Sequence, residues 1–251
     1  MSARFASCTF FLLVAGPALA ADSEPVVVAT AHLKGESDDP RAVAESLGRV
    51  GADLMVLTEC TRKAVAAETL EAVGMQLLVD GRDPSPWGIC LVGKVEGDTA
   101  VVPALWGGPC VGPMAVSRMT IGTKKVAMIG VHLPPRVPVC EASTDGAVLA
   151  LAGLVKEGRL VRDLGPARVG DAVILAGDLG SQKKQLDPLR AVGLAEIGEK
   201  AGRTLSTWSM GPVHQWLDHV FVPASWSAAQ VTTFVVPGSD HQGVVGLVEP
   251  G

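Results

Sequence analysis

Seven ionisable side chains stand where apolar, strand-like runs begin or end: His32, Glu59, His132, Asp178, Asp218 and the adjacent Asp240 and His241. Carboxylate oxygens suit a hard divalent ion, and imidazole gives or keeps a proton near neutral pH. Together they could neutralise the charge of a phosphate ester and activate an attacking water. Each has a plainer reading. Asp178 could cap the turn after Gly177, Glu59 could be a solvated turn residue, and His132 could pack against Pro134 and Pro135. His214 and His219 suggest no role; His219 alternates with Asp218 and should point to the opposite face.

The elements that must position these groups follow from local patterns. AVILAGDLGS (residues 172–181) is an apolar run that stops at Asp178, so it predicts a buried strand with a carboxylate at its end. VVVATAHL (26–33) and ADLMVLT (52–58) read the same way, leading to His32 and Glu59. Asp38, Asp39 and Pro40 start a helix whose apolar face is Val43, Leu47 and Val50, with Gly51 ending it. A second helix is expected over about 61–73. Between 75 and 131, short apolar runs separated by Gly, Pro and Asp predict an antiparallel meander that ends at His132. Residues 143–161 form an amphipathic helix with Val148, Leu151, Leu154 and Val155 inward, and a short helix follows at 188–192. WLDHVFV (216–222), QVTTFVV (230–236) and GSDHQGVVGLV (238–248) close the chain as strands. Helices mixed with many short strands predict two packed sheets with helices outside.

Composition narrows the class. The chain has 251 residues, 48% of them hydrophobic, enough for a large core. A net charge of −5, one unit more negative without Arg4, gives no general attraction to nucleic-acid phosphates. Residues 1–20 pair Arg4 with a short apolar run and the Ala18-Leu19-Ala20 ending of a secretory signal peptide, cleaved after Ala20. The run is too short for a membrane anchor. Residues 21–251 are then one secreted or periplasmic domain, expected to be a monomer. That domain keeps Cys60, Cys90, Cys110 and Cys140, whose three possible pairings sequence does not separate. Cys110 and Cys140, in Gly/Pro-rich segments, are the better disulfide candidates; Cys60 and Cys90 could equally be buried thiols. Trp87, Trp106 and Trp216 are expected in core or rim packing.

In order along the chain, ADLMVLTEC, VAMIGVHLPP, AVILAGDLGS, WLDHVFV and GSDHQGVV resemble the successive motifs of the endonuclease/exonuclease/phosphatase superfamily, which includes DNase I and exonuclease III. The resemblance spans nearly all of residues 21–251. It implies an α+β, four-layer αββα sandwich of two mainly antiparallel sheets, and a hydrolase acting on a phosphoester substrate, nucleic acid or a small phosphodiester. It further implies Mg2+ (or Mn2+) on Glu59, with Asp240 orienting the cluster or reaching the metal. Asp178 would deprotonate water, His241 polarised by Asp218 would hydrogen-bond the phosphate, and His132 would be a second donor. The sequence departs from the pattern twice. His32 stands where the family's first strand ends in Asn, as a possible phosphate or metal contact, and Gly180 stands where GDFN has its Asn. Lys34, Arg118 and Trp208 are candidates for substrate contacts. The competing reading is a catalytically impaired member serving as a binding or structural module.

Overall fold

The computed structural model describes residues 24–251 except 36, 84–86, 104–109, 111, 134–137, 158–166, 168–169 and 182; the expected signal peptide and Trp106 lie outside the described residues. Val26–His32 (β1) and Leu54–Thr58 (β2), runs rich in β-branched and aliphatic residues, pair in parallel with His32 opposite Thr58. Parallel pairing needs a crossover, and Pro40–Val50 (α1) supplies it. Asp39 accepts the Ala42 N–H at its start, and Gly51 ends it at φ 69°. The next helix, Ala67–Glu71 (α2), is shorter than expected. Thr61 caps a separate turn by accepting the Ala64 N–H while donating to Gly35 O, so the chain before residue 66 is already committed.

The expected single meander is divided between two sheets. Gln76–Val79 (β3) and Ile89–Gly93 (β4) pair with each other, and β4 also pairs with β2. Both edges of β4 are thereby taken, and the chain crosses to build Gly97–Val102 (β5), Met114–Ile121 (β6) and Lys124–His132 (β7) into a second sheet. Glu141–Glu157 (α3) then returns the chain to Ala172–Asp178 (β8), parallel to β7. Asp187–Ala191 (α4), Leu194–Glu196 (β9) and Ile197–Lys200 (α5) follow. Trp208–Met210 (β10) and Val213–Gln215 (β11) form a hairpin that the patterns did not reveal. Asp218–Pro223 (β12), Ser227–Val235 (β13) and Gln242–Glu249 (β14) complete the chain.

One sheet runs β13-β14-β1-β2-β4-β3 and the other β5-β6-β7-β8-β12-β9. Three apolar layers follow from strand alternation. Val28, Leu54, Val56, Met128, Ile174, Ala176, Val220 and Val244 fill the space between the sheets. Alternate residues face outward. Ala29, Met55 and Leu57 meet Val43 and Leu47 of α1 on one side, and Ile129, Leu175 and Phe221 meet Val148 and Leu151 of α3 on the other. This is the expected αββα sandwich, mainly antiparallel, with β1–β2 and β7–β8 as its parallel pairs. No helix among the described residues is long and apolar enough to cross a membrane.

Both cysteine pairs are bonded, Cys60 to Cys90 and Cys110 to Cys140, each 30 residues apart. The second is the pair favoured by its setting; the first, open between bridge and thiols, is a bridge. Closing a loop of that length restricts the unfolded chain by about 3–4 kcal/mol. A Cys60→Ala/Cys90→Ala double variant is therefore expected to lose about that much stability in a denaturant titration, and a loss below about 1 kcal/mol would argue that the bridge is not formed in solution.

Candidate active site

Strand direction and alternation bring the predicted groups to one rim. The parallel pairs β1–β2 and β7–β8 deliver their C-terminal ends there, while β12 and β14, antiparallel to β8 and β1, deliver their N-terminal ends. On β1, His32 is in phase with Val28, whose side chain lies between the sheets. Asp178 is in phase with Ile174 and Ala176, His132 with Met128, and Asp218 with Val220. All four therefore point into the mouth of the inter-sheet space, with His132 and Asp218 each opposite Asp178 in the ladder. His219 takes the other face, as expected. It is buried, with Nε2 3.0 Å from both Ser181 O and Trp216 O, and burial lowers its pKa to about 4, so it is a neutral structural donor.

Asp178 sits at the centre. Its Oδ1 accepts the Gly180 N–H at 2.8 Å, so Asp178 does cap the turn, while Oδ2 is 3.4 Å from His32 Nδ1 and 3.8 Å from His132 Nε2. The two readings of this residue use different oxygens. His32 Nε2 lies 3.5 Å from Glu59 Oε1, and His241 stacks on His32 at 4.1 Å between ring centres. His241 Nδ1 is 2.7 Å from Asp218 Oδ2, which leaves Nε2 for a substrate. Glu59 follows β2 in a left-handed conformation, φ 50°, which is unfavourable for a side chain of this type. Its neighbour Cys60 restrains it through the bridge to Cys90 and through the Cys60 N–H donated to Gly88 O.

Residues 30–241 match the model of the Endonuclease/Exonuclease/phosphatase family, which covers well over half of the chain. The chain belongs to that family. Solved members share its fold at low identity. TDP2 of D. rerio, complexed with single strand DNA product, is 14% identical with a TM-score of 0.72, covering 90% of this chain and 99% of that one. A mannosyl-6-phosphatase of Bacteroides thetaiotaomicron is 16% identical with a TM-score of 0.63, and sphingomyelinase C of Streptomyces griseocarneus is 16% identical with a TM-score of 0.62. Each of these two covers 89% of this chain and 99% of its own. No curated protein matches the chain by sequence.

The electrostatics of this family member are set by burial and close pairing. Burial pushes Asp178 up, but the hydrogen bond from His32 and the charges of His132, His32 and His241 outweigh it and hold the carboxyl ionised, well below the usual range. Burial opposes a charge on His32, yet its contacts with Asp178 and Glu59 raise its pKa to about 10. Burial raises Asp218, partly offset by its hydrogen bond to His241; that same bond raises His241 against burial. Two groups could hold a metal ion, their ligand atoms within 4.8 Å of one another: His32, Glu59 and His132, and His32, Asp178, Asp218 and His241. The donor chemistry fits a divalent cation, since a partly exposed carboxylate faces imidazole nitrogen.

The structure does not bring Asp240 into either group. Ser239 Oγ accepts the His241 N–H, and this turn aims His241 inward while Asp240 stays exposed, 4.0 Å from Lys34 Nζ. Asp240 is thus placed beside a lysine at the rim, in the groove next to His241. Arg118 lies elsewhere, bonded to Asp171 at 2.8 and 3.1 Å. Trp208 lines a groove of about 620 Å³ beside His241, together with Arg203 and His214. Trp87 packs at the rim with its ring 5.0 Å from His132, and Trp216 is in the core, donating from Nε1 to Asp218 O. One positioning residue was missed. Buried Thr207 accepts the Leu217 and Asp218 N–H groups at Oγ1, at 3.0 and 3.1 Å, and so fixes the start of β12. An isolated Thr in a polar stretch carries no local signal of that role.

Proposed function

We propose that the protein is a secreted or periplasmic, divalent-metal-dependent phosphoester hydrolase that acts as a monomer on nucleic acid or a small phosphodiester. The observation that carries this reading is the arrangement of Asp178, with one oxygen fixed by the Gly180 N–H and the other turned to His32 and His132. A water held at Oδ2 gives its proton to this ionised carboxylate as it attacks phosphorus. His241, oriented by Asp218, hydrogen-bonds the phosphate oxygen on which negative charge builds, with His132 as a second donor. Mg2+ or Mn2+ on Glu59 would supply neutralisation of phosphate charge and of the leaving group. Substrate enters by the groove at Trp208, Arg203 and His214, where a half-buried indole and an exposed cation stand beside His241. Two disulfides suit the oxidising compartment to which cleavage after Ala20 would lead.

The alternative, an impaired member acting as a binding module, draws on His32 and Gly180, neither of which offers the amide the family places there. Gly180 still holds Asp178 through its backbone, but it offers the phosphate no side-chain donor. Both readings face one assay: hydrolysis of bis(4-nitrophenyl) phosphate, DNA, RNA and sphingomyelin with Mg2+ or Mn2+, before and after chelation. The hydrolase reading expects turnover that chelation abolishes. Turnover no higher than that of an Asp178→Asn/His241→Ala double variant on every substrate would leave the binding module.

A further inference from the structure

His32 stands at the rim between Glu59 and Asp178, and the surrounding geometry gives its two nitrogens different partners. Nδ1 lies 3.2 Å from Thr58 Oγ1 and 3.4 Å from Asp178 Oδ2, both able to accept its proton. Nε2 faces Glu59 Oε1, 3.5 Å away, and a bound ion would take the place of the proton that these two groups otherwise share. Two donors that share one ion at about 2.0–2.2 Å stand roughly 3.0–3.5 Å apart, so the pair is spaced as ligands of a single cation. A ligating imidazole whose other nitrogen donates to a carboxylate is also the usual way such a ring is oriented and made more basic. Thr58 and Asp178 provide that support from two neighbouring strand ends.

The donor types then discriminate between ions. Mg2+ favours oxygen ligands and retains its waters, whereas imidazole favours the later first-row divalent ions. A second imidazole, His132, has a ring nitrogen within the same 4.8 Å cluster. The left-handed turn at Glu59, tied by the adjacent bridge, places the carboxylate facing His32. We propose that His32 Nε2 and Glu59 hold a borderline divalent ion such as Zn2+ by mixed nitrogen and oxygen ligation, so that His32 sets the metal preference of this chain. The inference deepens the hydrolase reading by naming the ion class of its site, but its test does not require turnover.

The metal-stripped protein is titrated with Mg2+, Mn2+ and Zn2+ by calorimetry, and the Mn2+ form is examined by pulsed electron paramagnetic resonance for nitrogen coupling. The same measurements are made on His32→Asn, which restores an oxygen donor, and on Glu59→Gln. Nitrogen coupling is expected in the unaltered protein. In His32→Asn we expect Zn2+ affinity to fall by about 10–100-fold, Mn2+ affinity to fall by less, Mg2+ affinity to change by less than about threefold, and the coupling to weaken. Glu59→Gln should lower the affinity for all three ions. Absence of nitrogen coupling, or an unchanged ratio of Zn2+ to Mg2+ affinity in His32→Asn, would overturn the inference and indicate that His32 instead meets Glu59 and Asp178 as a cation. Nitrogen-ligated metal without hydrolysis would sustain the inference while removing the hydrolase reading. Hydrolysis with His32→Asn binding all ions as the unaltered protein does would give the reverse.

Discussion

Asp178→Asn is expected to lower kcat by about 10²–10⁴-fold while KM changes little. The amide matches the carboxylate in size, and its carbonyl oxygen can still accept the Gly180 N–H, so the turn after β8 should persist. What disappears is the ionised oxygen between His32 and His132, the group proposed to take the proton of the attacking water. His32 also loses the partner that contributes most to raising its pKa against burial. Its pKa should therefore fall from about 10, and an imidazole titration followed by nuclear magnetic resonance should show this independently of turnover. Steady-state kinetics together with a thermal melt decide the matter. A folded Asp178→Asn protein retaining more than a tenth of the original kcat would show that another group activates the water.

Asp218→Asn should produce a second large loss, about 10²–10⁴-fold in kcat, because the carboxylate fixes the tautomer and orientation of the imidazole proposed to meet the phosphate. The pH profile carries the more specific outcome. Burial alone would lower the pKa of His241; the 2.7 Å contact with Asp218 raises it above the ordinary 6.5. If protonated His241 is the donor, activity is retained below that raised pKa and declines as pH rises through it. With Asn at 218 only the charge of Asp178 still opposes burial, and the alkaline limb of kcat/KM should move to lower pH. Thr207 keeps its bonds to the backbone of β12, so the start of the strand should hold. Superimposable profiles in the two proteins, measured at saturating metal, would mean that His241 does not titrate in the rate-limiting step.

Much of the site was legible because strand alternation is local. A side chain two or four residues beyond a buried Val or Ile shares its face, so His32, His132, Asp178 and Asp218 could be assigned to strand ends before their partners were known. The order of five short motifs then implied the fold. Legibility failed where non-local partners decide. β4 has both edges occupied by β2 and β3, and this moved the rest of the expected meander into the other sheet. Asp240 and His241 are neighbours of similar polarity, yet the hydrogen bond to Ser239 Oγ separates them, one outward and one onto His32. Thr207 acts on residues ten and eleven positions away through its hydroxyl, a distance that no local pattern spans.

The amino-acid sequence by itself determined that apolar strands end in carboxylates and imidazoles, that helices start at Asp39 and stop at Gly51, and that the chemistry on offer is ion binding with proton transfer. These follow from side-chain type and from periods of two and about 3.6 residues, which act within a few residues of one another. Tertiary structure alone decided that Asp178 uses one oxygen for its turn and the other for the cleft, that His32 links Glu59 to Asp178, and that Cys60 pairs with Cys90 beside Glu59. Those outcomes depend on which distant strands share a ladder and how two sheets meet at their rim.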